Sequence, residues 1–127
     1  MHVKRFNMRH MGHISGWMNI RGMDPSLCND LPEIGYIVFD GMDAIAAVFL
    51  RQMEGDYGLV DSAISNPELS PPVRRRAVDM ASEEIVAHAI KMGMKHLLVL
   101  TTDKNTVERA KAFGFTQARD ILLNKKL

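Results

Sequence analysis

Residues 59–115 read LVDSAISNPELSPPVRRRAVDMASEEIVAHAIKMGMKHLLVLTTDKNTVERAKAFGF, and no other stretch constrains the fold as strongly. Val78, Ala81, Ile85, Ala89 and Met92 recur at helical spacing, and Val86 and Ile90 widen the apolar stripe. Arg75, Asp79, Ser82, Glu83 and Lys91 fall on the opposite side. Pro72 disfavours α geometry at Pro71, which predicts a helix beginning at Pro72, and Gly93 suits the position just past its end. Residues 96–100, HLLVL, then predict a buried strand parallel to the one before the helix. Strand, helix and strand make a β-α-β unit, whose crossover is right-handed. A short helix over 106–113 and a final strand from Phe115 onward complete the reading of this half.

The first half supplies antiparallel partners. Residues 3–6 predict a short strand, and Asn7 caps a helix running to Arg21. Gly12 and Gly16 each weaken that helix by about 1 kcal/mol, and Gly22 ends it. Its packing face carries Met11, Ile14, Trp17 and Met18, with Met8 a turn earlier. Asp24-Pro25 is a cap followed by a first-turn proline, predicting a second short helix to Asn29. From Ile34 the residues become β-branched and aromatic around Asp40-Gly41, a hairpin signal. Residues 44–52 are apolar on both faces, as in a central strand covered on each side. Glu54-Gly55-Asp56 makes the next turn, Tyr57–Ser65 a third antiparallel strand, and Asn66-Pro67 stops it. The fold class is α/β, with a mixed sheet, in one domain spanning 1–127.

Sixteen basic and fifteen acidic side chains leave a formal charge of +1, which gives no electrostatic reason to expect nucleic acid or an anionic membrane as partner. Arg74 to Arg76 form a basic run with no aromatic platform interleaved. No apolar run approaches the roughly 20 residues of a membrane span, and the first residues lack the apolar core of a signal peptide. Cys28 is the single cysteine, so no internal disulfide forms, and a reducing cytoplasm is the expected compartment. The ten methionines are scattered and read as core filler. His10 and His13 share a helix face but have no third ligand, so no metal site is expected. His88 and His96 read as structural.

A basic loop delivering free backbone N–H groups to a helix start is a device for holding phosphate. With the order of elements, the FDGMDAIAAVFL segment and the Gly-Phe turn in KAFGF, the chain resembles the GNAT superfamily of acyl-CoA N-acyltransferases over nearly its whole length. The resemblance implies that the strand over Leu59 to Ile64 and the strand over Leu97 to Leu100 splay apart to admit the pantetheine arm. Main-chain groups of Ala63, Ile64 and Ser65 would then face the thioester. The family's phosphate-binding loop matches Arg74-Arg75-Arg76-Ala77-Val78-Asp79, and a helix starting at Pro72 would leave the amides of Val73, Arg74 and Arg75 free. The family's asparagine near the start of the last helix falls at about Asp103, with Asn105 two residues on. Acetyl-CoA is the implied cofactor, and an amine the implied acceptor.

The chain departs from that pattern at three places. Ala77 replaces the loop's first glycine, and Asp79 stands where the family has a very small residue; it is expected to pair with Arg75 one turn back. Ala110 occupies the place of the tyrosine that protonates the departing thiolate in many members. Asp61 and Glu68, on or just after the splayed strand, are the candidates for a general base. Two functions compete. One is an N-acetyltransferase in which the amine attacks the thioester directly. The other is a catalytically degenerate binding or assembly protein, resembling small GNAT-like proteins of bacteriophages, some of them virion-associated. With only twelve residues after Phe115, the second strand of the usual closing pair is expected to be missing, which leaves an edge for a protein partner or a homodimer.

Overall fold

The apolar run of the central strand decides the layering, because it requires cover on both faces. In the computed structural model, which describes residues 1–127, that strand is β3, Asp43–Gln52, buried without interruption from Ala44 to Leu50. β1 is His2–Arg5, β2 Ile34–Asp40, β4 Tyr57–Ser65 and β5 His96–Val99, and the sheet order is β1-β2-β3-β4-β5. The junctions β1–β2, β2–β3 and β3–β4 are antiparallel, and β4–β5 is parallel. The hairpin joining β2 to β3 turns at Gly41, whose φ of 60° is open to glycine without strain.

Helix α1, Met11–Ile20, covers one face and α2, Pro71–Lys91, the other. Ile14, Trp17 and Met18 meet Ile37, Phe39 and Phe49 on the α1 side. On the α2 side Ala77, Val78, Ala81, Ile85 and Ala89 meet Val38, Ile45, Val48 and Leu50. Each fully buried aliphatic side chain of this kind stabilises the fold by roughly 1.5–3 kcal/mol. Asn7 accepts from the Arg9 N–H at 2.9 Å and so caps a 3-10 turn, Met8–His10, that leads into α1. Asp24 likewise accepts from Ser26 N–H at 3.0 Å and opens the 3-10 segment Pro25–Asp30.

Several expectations need correction. α2 begins at Pro71, one residue early, with Ser70 extended as its cap. Pro71 tolerates the helix there because no carbonyl lies one turn back for its ring to strike. Ile90 and Met92, assigned to the apolar stripe, are exposed at the end of the helix, which overhangs the sheet. β5 is parallel as expected but has no buried residue. It is the edge of the sheet, because the strand expected from Phe115 does not form. Residues 116–127 offer one apolar triplet, Ile121 to Leu123, and none of the alternation that fixes a strand's register. The closing helix α3, Lys104–Ala112, starts two residues earlier than predicted.

Candidate functional site

The site begins where β4 and β5 part. Their last paired residues are Val60 and Val99; β4 continues to Ser65, whereas β5 ends. From Asp61 on, the main-chain groups of β4 that face away from β3 have no strand beside them. A bulge sits at the same point: Phe49 opposes Ser62 and Leu50 opposes Val60, so Asp61 is the extra residue. A bulge sharpens local twist and turns the strand's edge outward.

The gap is a cavity of about 220 Å³. Val60, Asp61 and Ala63 form one wall and Val99, Leu100 and Thr101 the other. Val78, Ser82 and Ile85 of α2 and Thr106, Arg109, Ala110 and Phe113 of α3 close it. The α3 residues follow i, i+3, i+4, i+7 spacing, one face of a helix. Asp103 holds α3 in register: its Oδ2 accepts from the Thr106 N–H at 3.0 Å and from Thr106 Oγ1 at 2.7 Å. These bonds hold the Asp103 carboxyl below the usual range.

The stretch matched to the phosphate-binding loop is not a loop. Arg74 to Asp79 lie inside α2, and the Arg74 N–H already donates to Ser70 C=O at 3.1 Å. Of the three amides expected to be free, Arg74 and Arg75 are therefore spent within the helix, and only Val73 remains. Pro71 and Pro72 have no N–H to offer. In the preceding turn, Leu69 N–H bonds to Asn66 C=O and Glu68 N–H to Asn66 Oδ1, which leaves the amide of Ser70. Ala77, expected at a ligand, has no exposed surface and packs in the core with Val78.

Cations lie close to the same helix start. Arg75 and Arg76 line a second, polar hollow at the start of α2, together with Pro71, Pro72, Asp79 and Glu83. The Nε of Arg74 is buried without a partner. Asp79 does not pair with Arg75: its Oδ1 lies 3.2 Å from Nε of Arg109, across the gap on α3. Both atoms are buried and neither is aligned for a hydrogen bond, so the contact is an ion pair alone. The partly enclosed Arg109 is less screened by water than the exposed Arg75.

Other predicted residues are scattered. Asp61 is at the mouth of the slot, but its Oδ2 is held by Arg51, 2.8 Å from Nε and 2.7 Å from Nη2. Arg51 also donates to Asp30 C=O, tying β3 to the segment before β2. Ala63 lines the slot, whereas Ile64 packs into the α1-side core. Ser65 accepts from Arg21 Nη2 on its C=O at 3.0 Å and on its Oγ at 3.2 Å. Glu68, Asp103 and Asn105 do not line the slot. Sequence reasoning missed Arg109 and Thr106; the periodicity of the last helix, had it been followed, marks both as inward residues.

No family model matches the sequence, and no curated protein is detectably similar to it. Solved structures are. A GNAT-family acetyltransferase from Streptococcus pneumoniae superposes with a TM-score of 0.71 at 14% identity, with 98% of each chain covered. The fold is that of the GNAT acetyltransferases. An aminoglycoside N-acetyltransferase in complex with CoA gives 0.72 at 13% identity, covering 98% of this chain and 93% of its own. A Mycobacterium tuberculosis protein in complex with CoA gives 0.75 at 11% identity, covering 98% of this chain and 76% of that one. Within the GNAT frame, the slot lies between the fourth and fifth strands of the sheet, under the second and third helices.

Proposed function

We propose that the chain is an acyl-CoA-dependent N-acetyltransferase, with acetyl-CoA held in the slot between β4 and β5 and an amine as acceptor. The observation that carries this reading is the parting of the two strands beyond Val60 and Val99 over an apolar cavity. The GNAT fold of neighbours crystallised with CoA supports it.

The residues present suit the cofactor unevenly. The apolar walls and the edge of β4 at Ala63, with the Ser65 N–H, match an arm that carries both methylenes and amides, whereas Ile64 turns its main chain to β3 and the Ser65 C=O is taken by Arg21. Arg75 and Arg76, the free amides of Ser70 and Val73, and the orphaned Nε of Arg74 would hold the diphosphate. When bound, the cofactor supplies a thioester activated toward amines. Main-chain donors near the bulge would polarise its carbonyl. Asp61, with Oδ2 committed to Arg51, keeps Oδ1 for the proton leaving the amine. No side chain at Ala110 can protonate a thiolate, so positioning has to supply most of the rate. The lone, buried Cys28 fits a reducing cytoplasmic setting.

Calorimetry with acetyl-CoA tests the reading, followed by thiol release in the presence of a panel of primary amines. Binding in the ~1 μM to ~1 mM range, with amine-dependent thiol release, is the expected result. No heat from either the unmodified chain or Asp79→Gly would rule out the cofactor. A non-catalytic binding module is the second reading, favoured by Ala110 and by the Asp79–Arg109 pair across the slot. Binding without thiol release from any amine would decide for it.

A further inference from the structure

The Asp79–Arg109 pair stands between two spaces of different chemistry. Arg109 lines the apolar slot and Asp79 lines the polar hollow at the start of α2. Their charged atoms are 3.2 Å apart and span the boundary. A ligand with an apolar arm in the slot and an anionic group in the hollow has to pass where this pair sits.

The pair is poorly made. Nε of Arg109 and Oδ1 of Asp79 are both buried, yet neither has an aligned hydrogen bond, which leaves a guanidinium with unused donor capacity. Backbone donors are scarce nearby, since Pro71 and Pro72 carry none and the amides of Arg74 and Arg75 are used by the helix. The slot contains one cation, Arg109. A phosphate oxygen offers it a more strongly charged, better directed partner than this carboxylate does.

Resting on the reading of the slot as a thioester-cofactor site, we propose that Arg109 is a phosphate-binding residue and that Asp79 is its tethered competitor. In the ligand-free protein Asp79 neutralises Arg109 and joins α2 to α3. A ligand phosphate displaces the carboxylate and takes the guanidinium. Affinity is therefore set by an exchange of anions at one arginine, and direct repulsion of the ligand by Asp79 is secondary.

A double-mutant cycle by calorimetry tests this, with acetyl-CoA and with S-acetylpantetheine, which has no phosphate. Asp79→Asn should tighten acetyl-CoA by about three- to tenfold, the scale of one partly exposed ion pair, and leave S-acetylpantetheine unchanged. Arg109→Gln should weaken acetyl-CoA, and adding Asp79→Asn to it should recover nothing. A gain from Asp79→Asn that persists in the Arg109→Gln background overturns the proposal, since Asp79 would then act by repulsion. An equal gain for S-acetylpantetheine overturns it too, since the slot would merely have opened. A second readout needs no cofactor: the side-chain Nε–H resonance of Arg109, followed by NMR while inorganic diphosphate is added to Asp79→Asn. Movement of that resonance without acetyl-CoA binding would sustain the arginine's role while the cofactor reading fell. An unmoved resonance at saturating diphosphate would reject the role even if acetyl-CoA bound. Far-UV circular dichroism of each variant establishes that it is folded.

Discussion

His88 has two polar neighbours on one nitrogen. The Tyr36 hydroxyl is 2.7 Å from its Nδ1, and Arg5 Nη1 approaches the same atom at 3.5 Å while the guanidinium lies over the Tyr36 ring. The Tyr36 hydroxyl can donate to or accept from that nitrogen, whereas Arg5 can only donate. Burial, then the nearby charges of Arg5 and Lys91, lower its pKa below 6.5. His10 is similar: its Nδ1 accepts the Asn7 N–H at 3.1 Å, and its pKa is lowered by burial, then by His13, Lys4 and Arg9. For a base whose folded pKa is depressed, the stabilisation is complete above 6.5 and drains away as pH falls through the folded value. The melting temperature should therefore drop as pH falls below about 6.5. His88→Gln should flatten part of that slope and leave the share due to His10. A slope identical in wild type and His88→Gln would show that neither the burial nor the cations matter. Local signals made some of this readable. Asn7 and Asp24 are recognisable caps because each bonds a backbone amide two residues on. The partners of His88 and Asp79 are far away in sequence, and neither left a local trace.

Elements show where sequence pattern reaches and where it stops. β4 was delimited residue for residue, because turn residues bracket it and its partners impose period two. The bulge at Asp61 was invisible, since it arises from how β4 fits the twist of β3. The loop-like reading of Arg74 to Asp79 failed for a related reason. Helix propensity there is high, and Pro71 at the first position starts the turn before the arginines are reached. β2 carries its own constraint at Gly35. A Cβ there would lie 2.5 Å from Cδ1 and 2.7 Å from Cε1 of Phe49, a ring with no exposed surface, and 3.2 Å from Cβ of Phe6. The ring cannot retreat, because Phe6 stacks edge-on against it at 4.9 Å. Gly35→Ala should destabilise the protein by about 1–3 kcal/mol, read as a lower urea midpoint at unchanged slope. An unchanged midpoint would mean that the sheet shifts easily at this crossing.

At the scale of the whole molecule the sheet has two open edges, β1 and β5. β1 is largely exposed and pairs with β2 alone, and β5, which pairs with β4 alone, likewise leaves its outer backbone edge without a partner. Leu98 and Leu100 are exposed beside it, and Ile121, Leu122 and Leu123 are exposed in the segment that follows α3. Such an edge is a template for pairing with another chain. The protein should self-associate with rising concentration in sedimentation velocity runs, and Leu98→Lys should keep it monomeric by placing a charge on the edge. A wild type that stays monomeric at the highest soluble concentration would show that the tail shields the edge. No helix is long and apolar enough to cross a membrane.

Sequence alone did not show that the strand expected from Phe115 would fail to form, but it determined the order of the five strands and of the helices between them, the two-faced burial of β3 and the parallel β-α-β crossover. Those follow from periodicity and turn chemistry, which act over a few residues. Only the tertiary structure decided what the site contains. Where β4 and β5 part, which carboxylate meets Arg109, and how many amides α2 leaves free all depend on residues brought together across the sheet and between helices. Those distances are set by packing, and packing has no signature in a short window of sequence.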